Sequence, residues 1–230
     1  MSIVIQTHNG ISVLRDDLLP GGTKSVLLEE LYKGVTHWIY PSSPYGALQI
    51  ALSHWCKEKG KGCTIVTTKR KALHPNTRRC MDLGSHIIQV PYGYLRNLQL
   101  HAGRLETETT KVIPFGLDTH WSRKLIAERM REITNELGKE PNEIWCAVGS
   151  GVLVEGILLG TDTAHINGVI VGKEYIKQHE RLTLWKYPKP FEWESEYPTP
   201  FQSVPNYDRK AWEFCNEFHQ AKDTLFWNVY

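Results

Sequence analysis

Residues 143–160, EIWCAVGSGVLVEGILLG, spell a β-strand, a glycine turn and a helix joined without spare residues. EIWCAV is a short apolar run whose Ile144, Trp145 and Val148 fit a pleated, packed surface. Gly149, Ser150 and Gly151 then carry the chain straight into VLVEGILLG. A strand that turns on glycines into a helix is a common way to hold a phosphate. The glycines let the backbone approach, and the free amides of the first helical turn point at the anion. The spacing is not GxGxxG, because the third glycine is Gly156, and no Lys-Ser/Thr of a P-loop follows. Glycine also serves tight strand-to-helix packing, so the turn alone leaves both readings open.

Outward from this unit the same alternation repeats. VTHWIY, CTIVTT, HIIQV, KVIPF and HINGVIVG are short β-branched runs. Between them PSSPYGALQIALSHWCKEKG, HPNTRRCMDLG, YLRNLQLHAGRL and THWSRKLIAERMREITNELG carry helical patterns. Strands that alternate with helices predict an α/β protein with parallel sheets covered by helices. Ser42 or Ser43 is the expected N-cap of the first of these helices, with Pro44 at its first position. Thr119 is the expected cap of the long one. Asn9-Gly10 between SIVIQT and ISVLR signals a hairpin. After about Tyr187 the chain becomes dense in proline and aromatics and should wrap irregularly on the body. RKAWEFCNEFHQAK is expected to close the chain as a final helix.

A second stretch carries candidate chemistry: DDLLPGGTKSVLLEELYKG, residues 16–34. Its apolar spacing predicts a helix that ends near Gly34, with Lys24 in the first turn. A cation is disfavoured there by the partial positive charge of the helix N-terminus. A surface lysine after a glycine turn is the plain explanation; a lysine whose amine is covalently bound to a carbonyl cofactor is the functional one. The loop PSSPYG is the third candidate. Ser42, Ser43 and the amides behind them suit a carboxylate, and equally suit ordinary capping.

Composition sets the limits. The chain has 230 residues and a formal net charge of +2, too little to announce nucleic-acid binding as a whole. KRKALHPNTRR nevertheless concentrates basic residues that could meet phosphodiesters or simply form a solvated face. Five cysteines form no paired metal spacing and read as reduced thiols of a cytoplasmic protein. The opening MSIVIQTHNG lacks the regions of a signal peptide, and Glu155 with four glycines spoils the longest apolar run as a membrane span. No metal and no membrane partner are expected.

The order of these motifs resembles the fold-type II pyridoxal-phosphate enzymes, most closely the aminocyclopropane-carboxylate deaminase and D-cysteine desulfhydrase group. The matching stretches are GGTKS, PSSPYGALQIALSHW, KALHPNTRRCMDLG, VIPFGLDT, VGSGVLVEGI and VPNYDRKAWEF, covering roughly residues 15–173 and the VPNYDRKA segment. The resemblance implies a two-lobed parallel-sheet fold of the tryptophan synthase β-like kind. Residues 1–40 and 119–230 would form a large cofactor-binding lobe and 41–118 a small lobe, with pyridoxal 5'-phosphate between them. By position it makes Lys24 the Schiff-base lysine, and gives the phosphate the amides of Gly149, Ser150, Gly151 and Val152. Ser43 falls at the family's serine-asparagine pair, with Ser42 and Tyr45 beside it as substrate contacts. Tyr207 falls at a tyrosine near the ring, and Ser203 is a candidate partner for the pyridine nitrogen.

The chain also departs from the pattern. Pro44 replaces the asparagine, Phe115-Gly116-Leu117 replaces a glycine pair, and the region after Gly172 is short. Such compact, altered chains are similar to the phage-encoded pyridoxal-phosphate enzymes of thymidine hypermodification. This implies a decarboxylase acting on an amino-acid-modified nucleotide in DNA, with Lys69, Arg70, Lys71, Arg78 and Arg79 rimming the cleft and the enzyme in the host cytoplasm. A deaminase or desulfhydrase-type lyase on a free small amino acid is the alternative, and an inactive cofactor-binding protein the third. The resemblance also implies a homodimer.

Overall fold

A computed structural model describes residues 2–28, 34–91, 94–172 and 175–230. In chain order the first elements are β1 (Ile5–His8), β2 (Ile11–Arg15), α1 (Thr23–Leu28) and β3 (His37–Pro41). Then come α2 (Leu48–Glu58), β4 (Gly62–Thr68), α3 (Pro75–Asp82), β5 (His86–Val90), α4 (Leu95–Gly103) and β6 (Thr110–Val112). The last are α5 (His120–Leu137), β7 (Glu143–Val148), α6 (Val152–Gly160), β8 (His165–Ile170), β9 (Leu182–Lys186), α7 (Asp208–Phe218) and β10 (Thr224–Asn228).

They form two compact units, Met1–Leu19 with Asp118–Tyr230, and Pro20–Leu117. The second unit begins at Pro20 where the sequence suggested residue 41, so α1 and its Lys24 belong with the four-stranded sheet.

The first unit holds a six-stranded sheet in the order β1-β2-β10-β7-β8-β9. All its pairings are parallel except the β1–β2 hairpin, whose Asn9 and Gly10 both have positive φ as the Asn-Gly signal requires. Two strands correct the sequence reading. The chain does not close on a helix: α7 stops at Phe218, and β10 returns to the sheet centre between β2 and β7. LTLWK adds a further strand, β9, at the sheet edge.

Trp145, Val169, Trp212 and Phe226 form the core on one face. The proline-rich stretch packs on it as expected, with Tyr187 and Phe201 buried and Tyr197 and Phe191 beside them. Two buried charges brace the rest. Asp16 accepts hydrogen bonds from the Arg129 guanidinium and from Trp227 Nε1, joining the end of β2 to α5 and β10. Glu143 accepts from Trp145, Asn167, Thr224 and the amides of Gln220 and Ala221, which fixes the loop that leads into β10.

The second unit is a parallel sheet in the order β5-β4-β3-β6. Ile39 and Val66 bury one face against Leu98 and Ala102 of α4. Cys63, Ser53 and Ser85 meet among α2, β4 and the start of β5, where Ser85 Oγ donates to Ser53 Oγ (2.8 Å). α2 starts four residues later than Pro44 predicts. The Gln49 side-chain amide donates to the carbonyls of Ser43, Pro44 and Gly46, so those carbonyls are satisfied without helix and the segment stays a loop. Where the α1 helix ends lies outside the described residues. Among the described residues no helix is long and apolar enough to cross a membrane, and no His/Cys/Asp/Glu group is placed to hold a metal.

Candidate functional site

In the first unit the site is built at the C-terminal end of β7, which lies inside the sheet between β10 and β8. The open edge beyond the carboxyl ends of parallel strands is where α/β sheets take ligands. Gly151 turns the corner with φ +88, a conformation a Cβ disfavours, and caps α6 with no side-chain hydrogen bond. The first amides of α6 are therefore not capped by a side chain, as an anion cradle needs.

Two tyrosines pack where the glycines lack side chains. A Cβ on Gly149 would lie 3.0 Å from the Tyr207 hydroxyl and 3.1 Å from its ring, and one on Gly151 would overlap the Tyr175 ring. The structure thus brings Gly149, Ser150, Gly151, Val152 and Tyr207 together, although Tyr207 lies 56 positions after Gly151.

Tyr207 precedes α7, and burial with the nearby Asp208 carboxylate pushes its phenol well above the ordinary range, opposed by the Gly149 amide. It is therefore protonated at neutral pH and can donate. Ser203, four residues earlier, is buried and its hydroxyl makes no hydrogen bond among the described residues. Asp208 is a residue that sequence reasoning missed: it is fully buried and accepts from the Tyr230 amide. The signal was its place directly after the singled-out tyrosine. Burial and Asp208 also push the neighbouring Cys146 thiol up to about 12, so it is no nucleophile.

Glu155 was also missed, though it is the only charge in α6. Its carboxylate accepts from Arg123 Nε (2.6 Å), Lys177 Nζ (2.8 Å) and the Tyr175 hydroxyl (3.1 Å). Although burial opposes ionisation, those partners hold it below the usual carboxylate value. Arg123 continues to Asp118 (2.6 Å) and the Thr119 carbonyl, locking the start of α5 to α6 and, through Tyr175, to the glycine turn. Thr119 caps α5 as expected.

The second unit carries the other candidates. Lys24 is half-buried in the first turn of α1, directly after a turn in which Gly21 and Gly22 both have positive φ. Ser25 closes that turn, donating to the Gly22 carbonyl from its amide (3.0 Å) and its hydroxyl (2.8 Å). Gly21 packs directly on Ala51 of α2.

Ser42, Ser43 and Tyr45 share the loop after β3. Ser42 is fully buried, its amide bound to the Val66 carbonyl and its hydroxyl donating to the Ser43 carbonyl (2.7 Å). That bond shapes the loop between β3 and α2. Ser43 is half-buried, and its hydroxyl accepts from the Tyr45 amide (3.4 Å).

The sequence matches no family model and no curated protein. Solved structures do match. An ACC deaminase homologue superposes with a TM-score of 0.81 at 17% identity, over 95% of this chain and 83% of that one. A hydrogen sulfide-producing enzyme from Fusobacterium nucleatum gives 0.70 at 15% identity, over 99% and 94%. The class is therefore an α/β protein with the fold of the type II pyridoxal-phosphate enzymes. At these identities the likeness is one of fold.

Proposed function

We propose that the chain is a pyridoxal-phosphate-dependent lyase of the deaminase or desulfhydrase type, acting at Cα of a free small amino acid. The observation that carries this is the uncapped α6 terminus behind a positive-φ glycine, with a protonated tyrosine seated on the same turn. That cradle fits a phosphate, and the orphaned hydroxyl of buried Ser203 fits a polar ring atom. The names of the two structural neighbours support deamination or sulfide elimination over decarboxylation.

In this proposal the amides of Gly149, Ser150, Gly151 and Val152 would bind the phosphate, and Lys24 would hold the cofactor. Bound pyridoxal phosphate supplies an electron sink for the bond broken at Cα. Lys24 moves the proton at Cα, Tyr207 donates a hydrogen bond beside the turn, and Ser43 with the adjacent amides orients the substrate carboxylate. An absorbance spectrum with borohydride trapping tests the proposal. Wild-type protein should retain the cofactor covalently and Lys24→Ala should not. Equal retention in both would remove Lys24 from the site.

One observation favours a second reading, decarboxylation of an amino-acid-modified thymidine in DNA. Lys69, Arg70, Lys71 and Arg78 are exposed and make no ion pair among the described residues. Strong DNA association that weakens steeply with salt would support this reading, and none would reject it. We also propose a homodimer, which sedimentation would check.

A further inference from the structure

Two residues of the basic run 69–79, Arg70 and His74, meet a single aromatic ring in the second unit. β4 and β5 end side by side: the Lys69 amide donates to the Val90 carbonyl (2.9 Å) and the Arg70 amide to Gln89 Oε1 (3.1 Å). The backbone that carries Arg70 is thus tied to the sheet. Its guanidinium stands 5.3 Å from the centroid of Tyr45, within cation–π range. His74 meets the same ring edge-on at 4.7 Å.

His74 is itself fixed. It caps α3, and its Nδ1 accepts from the Asn76 amide (3.2 Å), which assigns the ring proton to Nε2 and makes that atom a donor. Burial and the Arg70 charge lower its pKa, so the neutral form is the one present at pH 7. Asn76 Nδ2 in turn reaches the Tyr45 carbonyl (3.5 Å), joining α3 to the Ser43 loop.

The Arg70 guanidinium keeps donors to spare. Arg70 makes no ion pair among the described residues, although its neighbours Lys69 and Lys71 add charge of the same sign. The polar groups turned on this ring are donors without a carboxylate among them, which suits an oxyanion and excludes a cation. A guanidinium whose face rests on a ring keeps its edge donors for two parallel bonds to such a group.

We propose that Arg70 and His74, braced by Tyr45, form a subsite for a second oxyanion on the substrate: a side-chain carboxylate, sulfonate or phosphate carried besides the α-carboxylate. That the oxyanion belongs to an amino acid rests on the lyase function proposed above. Arg70 then sets specificity, rewarding acidic amino acids over their uncharged isosteres.

The test pairs a binding measurement with kinetics on the cofactor-loaded protein. The His74 ring resonances are followed by NMR while aspartate, asparagine and inorganic sulfate are added in turn. Aspartate and sulfate should shift them and asparagine should not. Arg70→Gln should weaken aspartate binding by about 10- to 100-fold, the range of a hydrogen bond to a charged group. Arg70→Lys keeps the charge, loses the fork and should fall between. The kcat/KM ratio for aspartate over asparagine should drop by a similar factor in Arg70→Gln.

Equal response to aspartate and asparagine, or aspartate binding unchanged in Arg70→Gln, overturns the subsite. So does a response to duplex DNA with none to sulfate or aspartate. Turnover of amino acids without an acidic preference removes the subsite and leaves the lyase intact. Arg70-dependent sulfate and aspartate binding with no turnover of any amine does the reverse.

Discussion

Replacing Gly151 by alanine tests the glycine turn most directly. At φ +88 an L-residue costs about 1–2 kcal/mol over glycine. The new methyl would also overlap the Tyr175 ring, so that ring must move. Its hydroxyl is anchored on Glu155 at 3.1 Å, and losing that bond costs about 1 kcal/mol more. The sum, roughly 2–3 kcal/mol, should lower Tm by about 4–12 °C for a chain of this size.

The effect on the ligand should be larger than on the fold. If turning the corner differently withdraws one or two amides from a phosphate, each charge-assisted bond lost is about 1.5–3 kcal/mol, a weakening of roughly 10-fold to 10⁴-fold in pyridoxal phosphate affinity. Thermal melts of the cofactor-free protein give the first number and an absorbance titration with pyridoxal phosphate the second. A Gly151→Ala protein that melts and binds like wild type would refute both the backbone argument and the assignment of the turn.

The remaining expectations concern the framework. Asp16→Asn leaves the buried Arg129 charge without its counter-ion and should cost about 3–5 kcal/mol in urea unfolding. The double change Asp16→Leu with Arg129→Met should recover much of it, and a loss equal to the sum of the single changes would count against a coupled pair. Glu155 and Glu140 both have lowered pKa values, Glu140 through the amides of Asp162, Thr163 and Ala164. A depressed carboxylate stabilises the fold above its unfolded value, near 4.5, and that stability is lost as pH falls through the folded value. The acid limb of a stability–pH curve should therefore be shallower in Glu155→Gln and in Glu140→Gln; an unchanged slope would contradict the assignment. All five cysteines are free and buried, so a thiol reagent should label none in the native protein and five after denaturation. Fast native labelling would mean that a strand or helix carrying one of them opens readily.

Local signals in the sequence were followed faithfully wherever one residue decides the local geometry. Asn9-Gly10 made the hairpin, Thr119 capped its helix, and glycines with positive φ sit at the predicted turns. The α/β class followed from alternation and is the class observed.

The errors arose where a distant group overrode a local rule. Pro44 suits a helix start, but Gln49 satisfies the carbonyls that a helix would have used, and the loop persists to Ala47. TLFWN was lost because a fully buried strand shows no alternation, and the helical pattern before it runs on through HQAK. At the site, the glycine turn from strand into helix was legible. Tyr207 was placed by resemblance, since nothing local tells a tyrosine that Gly149 will leave room for it. Glu155, partly buried, and Asp208, fully buried, escaped because such acids announce themselves only through their partners.

The position of β10 has a consequence for the order in which the protein forms on the ribosome. Pro20–Leu117 is one continuous stretch with every strand of its sheet in hand once residue 117 has emerged. The larger sheet, by contrast, keeps a gap between residues 11–15 and 143–148 that only residues 224–228 can fill. The β1–β2 hairpin must wait, its inner edge exposed, until residues 224–228 have been made. Nascent-chain force measurements should show an early pull from the first of these events and a second only after Asn228 clears the exit tunnel.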